Sequence, residues 1–143
     1  MTWSYSDGVL TISGSGDMPD YTEYYFDYGR NSGNVPGQQH APWNDYYNSY
    51  RSQATAIVID PGITSIGAHA FDSVYDSQVE DGLTSFSIPE SVTCIGDYAF
   101  GTCVKLESPI LPNSLTGISE SAFSDTGFDR AVIPEGVTDI GST

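Results

Sequence analysis

The chain has 143 residues, the size of a single domain that buries about two thirds of the surface its unfolded form exposes. Nineteen Asp and Glu against four Lys and Arg set the net charge at -15, which repels phosphate backbones and anionic lipid and excludes nucleic acid as an expected partner. With 15 Gly, 8 Pro, 10 Tyr and only 16% charged residues, the chain is turn-rich and aromatic-rich without the depletion of apolar residues that gives disorder, so short strands are expected over long helices.

The first residues, Met1-Thr2-Trp3-Ser4, form neither a basic region nor an apolar signal core, and no stretch approaches the ~20 apolar residues of a membrane span. Membrane insertion by this chain is therefore not expected, and export would need a signal peptide upstream of Met1. Trp3-Ser4-Tyr5-Ser6 and Val9-Leu10-Thr11-Ile12-Ser13 alternate in polarity around Asp7-Gly8, the turn pair that a tight hairpin favours. A β-hairpin is predicted here, inside an N-terminal cap over residues 1–53.

The cap also carries Tyr21, Tyr24, Tyr25, Phe26 and Tyr28 beside Glu23 and Asp27, followed by Trp43. These six aromatics are the candidate ligand-binding residues, because such rings give a large contact area at low entropic cost and can stack a sugar or anchor a protein. The competing reading folds Trp43 and several of the tyrosines back onto the cap as core.

From residue 54 the chain repeats itself. Ile59-Asp60-Pro61-Gly62-Ile63-Thr64-Ser65-Ile66-Gly67 returns as Ile88-Pro89-Glu90-Ser91-Val92-Thr93-Cys94-Ile95-Gly96. Two further copies open at Leu111 and Ile133. The openers stand 29, 23 and 22 residues apart, and the first three copies run on into Ala70-Phe71, Ala99-Phe100 and Ala122-Phe123. Such a period is the signature of a stacked solenoid, in which one unit cannot bury its apolar face alone and must lie against the next. Each Pro after the opening aliphatic ends a strand, Val-Thr-x-Ile begins another, and the stretch to Ala-Phe reads as a single helical turn. The excess of six residues in the first step, within 72–82, implies a bulged loop. The fourth copy stops in mid-pattern at Gly141-Ser142-Thr143, which reads as a cut and leaves an end able to self-associate.

The pattern x-Ile-Pro-x-x-Val-Thr-x-Ile-Gly-x-x-Ala-Phe-x-x-Cys-x-x-Leu, matched best over residues 88–106, resembles the BspA-type leucine-rich repeats of bacterial surface proteins. The likeness covers residues 54–143, and the segments at 3–21 and 41–43 are similar to the region that precedes such repeats. The resemblance implies a mostly β leucine-rich-repeat solenoid of short strands and single helical turns behind a hairpin cap. It also implies a secreted or cell-surface origin and roles in adhesion and protein binding. Thr126 stands where the motif has Cys, so that Cys is replaceable.

Catalytic chemistry is not predicted. The two histidines, His40 and His69, have no nucleophile and acid in a recognisable arrangement, the acids lack a distinguishable pair, and no phosphate loop or metal-spaced cluster occurs. No cofactor and no metal are expected. Asp72, Asp76, Glu80 and Asp81 in the inserted loop lack the spacing of a calcium loop and read as a solvated segment. Cys94 falls at an outward strand position and Cys103 at a buried one, so both are expected as free thiols. The expected function is a non-catalytic binding or adhesion module for a host or bacterial surface protein or glycan. The alternative is a structural spacer, favoured by the small polar residues Ser65, Cys94, Gly117 and Asp139 along the outward ladder.

Overall fold

The computed structural model describes residues 1–22, 39–45, 48–73 and 82–142. Strands β1 (Thr2–Ser6) and β2 (Val9–Ser13) form the expected hairpin, antiparallel with Trp3 opposite Ile12. Asp7 and Gly8 both hold positive φ at the turn, as a type I′ connection requires.

The second strand of that hairpin is also the first rung of the solenoid. After β3 (Gly16–Asp17), β4 (Asn44–Asp45), β5 (Asn48–Ser49) and the single turn α1 (Tyr50–Gln53) come β6 (Ala56–Ile59) and β7 (Ile63–Ile66). β2 pairs in parallel with β6, setting Leu10 beside Ile57 and Ile12 beside Ile59, and β3 pairs in parallel with β7. Residues 9–21 therefore wind as a degenerate coil ahead of the four that the repeated phrase marks. The remaining strands, β8 (Ser85–Ser87), β9 (Cys94–Ile95), β10 (Gly117–Ile118) and β11 (Asp139–Ile140), complete two stacks that are parallel throughout except where β1 meets β2. These run β1-β2-β6-β8 and β11-β10-β9-β7-β3. The first stack ends at β8 because the third copy brings Pro109, which has no N–H for the ladder; the Glu107 amide still reaches the Thr84 carbonyl, at 3.0 Å.

Each Pro opens a tight turn. The amides of Val92, Leu115 and Val137 return to the carbonyls of Pro89, Pro112 and Pro134 at 3.1, 3.2 and 3.1 Å. The stretch before Ala-Phe is not the single helical turn expected from sequence. His69, Tyr98 and Ser121 hold φ of 52°, 51° and 51°, a left-handed conformation that interrupts any helix. Alternate amides point to the next coil instead: those of His69, Phe71 and Ser73 donate to the carbonyls of Asp97, Ala99 and Gly101, and those of Tyr98, Phe100 and Thr102 to Glu120, Ala122 and Ser124. A helix would keep these bonds inside one coil; spending them between coils joins the stack along a third side.

The core runs along the axis as a column of rings. Trp43, Phe71, Phe100 and Phe123 stack at centroid separations of 5.6, 5.3 and 5.3 Å. Phe86 lies 4.7 Å from Phe100, and Phe128 closes on Phe123 edge-on. Trp43 takes the place that Ala-Phe fills elsewhere, so the cap seals the column with a larger ring.

Candidate functional site

The two described members of the aromatic candidate set are core residues. Trp43 is 1% exposed, and its indole N–H donates to the Ala70 carbonyl at 2.7 Å. Tyr21 is buried against it, edge to face at 5.5 Å, and that burial pushes its phenol pKa above the ordinary value. Their placement as ligand contacts is corrected: Trp43 fills the end of the column with its N–H already satisfied, and the Tyr21 ring is buried on it, so neither presents a ring face to a ligand. Tyr24, Tyr25, Phe26 and Tyr28 lie outside the described residues. Tyr50 packs against Trp3 and Tyr5, at 5.1 and 5.2 Å.

Polar side chains along the repeat hold neighbouring coils together. The hydroxyls of Thr93, Thr116 and Thr138 donate to the carbonyls of Thr64, Thr93 and Thr116 at 3.3, 3.2 and 3.4 Å. Thr64, facing the cap coil, donates to the Asp17 carboxylate at 2.6 Å. The Thr64 and Ser65 side chains hold the Asp17 pKa below the ordinary carboxylate value. Asp20 and Asp97 accept the amides of Ala68 and Glu120 at 2.8 and 3.1 Å, and Glu90 accepts those of Asn113 and Ser114. The acidity is thus partly structural, since a carboxylate accepting a backbone N–H makes a charge-assisted bond.

Sequence reading missed Arg51. It is 1% exposed in a chain with four basic residues. Its Nε donates to the Phe71 carbonyl at 2.6 Å and its Nη2 to Cys103 Sγ at 2.9 Å. The guanidinium ties the cap to two coils, and no sequence pattern announced it. Cys94 is an exposed thiol and Cys103 a buried one. Asp72, assigned by sequence to the solvated loop, is instead buried, its carboxylate 2.9 Å from His69 Nδ1. Asp76, Glu80 and Asp81 lie outside the described residues. Among the described residues no three His, Cys, Asp or Glu gather as a metal site.

What faces outward is a ladder with one residue per coil. Ser65 pairs beside Cys94, Cys94 beside Gly117, and Gly117 beside Asp139. A second outward feature is the pair His69 and Tyr98, whose rings stack at 5.3 Å and 4°; their common repeat position was the available signal.

Residues 76–143 match the family model described as "BspA type Leucine rich repeat region (6 copies)". Residues 76–143 are BspA-type leucine-rich repeats. A leucine-rich repeat protein from Eubacterium ventriosum is similar in structure over 94% of this chain, at 30% identity and a TM-score of 0.59. A leucine-rich repeat protein from T. pallidum matches over 98% of this chain at 21% identity and a TM-score of 0.58, and one from Bacteroides ovatus over 98% at 24% and 0.57. These last two likenesses concern the fold alone. The chain spans 35%, 61% and 35% of the three neighbours' lengths. No curated protein matches it in sequence. The likeness of fold to the Eubacterium ventriosum protein over 94% of this chain agrees with β2 and β3 forming a rung of the stack.

Proposed function

We propose that this chain is a non-catalytic binding or adhesion module, secreted or held at the bacterial cell surface, that recognises a protein or glycan. The observation that carries the reading is a division of labour among the polar residues. Thr, Ser, Asp and Glu at fixed repeat positions hold coil to coil, whereas the outward position is Ser, Cys, Gly and Asp in successive coils, with Ser65 also turned to Asp17 of the cap coil. A scaffold that leaves one position per coil open to any side chain presents a rigid, continuous and variable surface, which is what solenoids use for recognition. Among the described residues no helix is long and apolar enough to cross a membrane.

A glycan and host-protein array probed with the labelled chain tests the proposal: a saturable, selective hit is expected, and a blank array at micromolar concentration speaks for the spacer reading. That second reading draws on the smallness of the outward residues, which lack the aromatics and Arg that anchor hot interfaces. Tyr24, Tyr25, Phe26 and Tyr28 are the proposed contact residues of the cap on sequence grounds. Replacing Tyr24, Tyr25 and Phe26 by Ser should abolish capture of the array hit while the far-ultraviolet circular dichroism stays unchanged.

A further inference from the structure

We propose that the uncovered face of Tyr98, with the carboxylates of Asp97 and Glu120, receives an arginine side chain from a protein partner. The inference rests on the binding-module reading and assigns one contact within it. Tyr98 is 42% exposed and stacks one face on His69. The stack does not continue, because the same position in the next coil is Ser121, which has no ring to set against the other face. Two acids neighbour Tyr98, Asp97 beside it in its own coil and Glu120 across from it in the next. The Asp97 carboxylate reaches the Glu120 amide, and Tyr98's own amide donates to the Glu120 carbonyl at 3.1 Å; both acids are exposed.

Tyr98 is held in place by its backbone, at φ of 51° and bonded to the neighbouring coil, so binding orders little that is not already ordered. A planar guanidinium is the group that combines what this place offers. It stacks on an aromatic face, is attracted by the ring quadrupole, and forms hydrogen bonds to a carboxylate from its edge. The net charge of -15 supplies the long-range attraction for a cationic partner. The same field also attracts any cation unselectively, so the test must separate the site from the field.

The test is a titration of the whole ¹⁵N-labelled chain with the blocked peptide Gly-Arg-Gly, followed by amide shifts, beside Gly-citrulline-Gly, which keeps the plane and lacks the charge. Shifts centred on Tyr98, Glu120 and Ser121 are expected, with affinity for the arginine peptide at least threefold above that for the citrulline peptide. Tyr98→Leu and Glu120→Gln should each weaken binding at least threefold, Tyr98→Phe should leave it within twofold, and Glu107→Gln, an exposed acid on another part of the coil, should not weaken it. Glu120→Gln alters only an exposed side chain, so it remains informative if Tyr98→Leu perturbs the fold. Shifts spread over the acidic surface, equal loss from Glu107→Gln, equal affinity for citrulline, or no binding would each overturn the inference. None of these would decide the array experiment, which reads whole partners at any surface.

Discussion

At the scale of single residues, the glycine that ends Val-Thr-x-Ile-Gly is fixed by how closely the coils approach. A Cβ on Gly96 would stand 2.6 Å from the Ala68 nitrogen and 2.8 Å from the Gly67 carbonyl carbon. Gly117, in contrast, would meet only Cys94 Sγ, at 3.7 Å. Gly96→Ala is therefore expected to cost about 3 kcal/mol through overpacking, whereas Gly117→Ala should be neutral within about 0.5 kcal/mol. Urea melts of the two variants check the contrast, and equal midpoints would refute it. Ser119 occupies the glycine position in the third copy, and nothing in the structure explains that exception. The Asp17 tie to Thr64 gives a prediction about pH. Because its folded pKa lies below the ordinary value of 3.8, the tie's contribution is present above the ordinary value and is lost as pH falls through the lowered one. Carbon-detected NMR titration should show the Asp17 midpoint moving upward in Thr64→Val; an unmoved midpoint would remove Thr64 as its cause.

At the scale of elements, the ring column decides stability. Phe100 is fully buried between Phe71 and Phe123 and against Phe86. Phe100→Ala is expected to cost about 3–5 kcal/mol through lost transfer and the cavity left behind, read from denaturant melts. A loss below about 1 kcal/mol would mean that the column is not the core. The column was legible in sequence because Ala-Phe recurs in one phase, and so was the hairpin, because Asp7-Gly8 separates two alternating runs. Besides Arg51, three features were not legible. The turn before Ala-Phe looked helical because its spacing suits a helical turn; which way its amides point depends on the neighbouring coil, and a repeat period carries no record of backbone direction. β2 and β3 were not read as a rung, since Leu10, Ile12 and Met18 keep the burial of a repeat without its Pro or its Val-Thr-x-Ile phrase. Trp43 satisfied two patterns at once, exposed aromatic platform and core ring, and only the carbonyl of Ala70 across the chain settles which.

At the scale of the whole molecule, the described coils meet at nearly identical junctions, but the first and the last of them are flanked differently. The N-terminal end has β1 laid antiparallel over β2, and β3 is shortened and irregular at Gly16 and Asp17, which blunts an edge. At the other end β11 has no strand beyond it among the described residues, and Val132, Ile133 and Ile140 are exposed. The backbone bonds there are as short as those inside: Thr138 and Gly141 donate to Thr116 and Ile118 at 2.9 and 2.8 Å, while Thr116 and Ser119 donate to Thr93 and Ile95 at 2.8 and 2.9 Å. Geometry alone therefore predicts equal protection. Protection follows the cost of local opening, however, and a coil packed on one side only opens at lower cost than one packed on both. In dilute solution the amides of Thr138 and Gly141 should exchange at least tenfold faster than those of Thr116 and Ser119. If β11 also recruits a second copy, as a bare edge beside apolar side chains can, the ratio should shrink as concentration rises, while the inner amides stay unchanged. Equal exchange at every concentration would show that the short bonds, and not the flanking coil, set the protection of this stack.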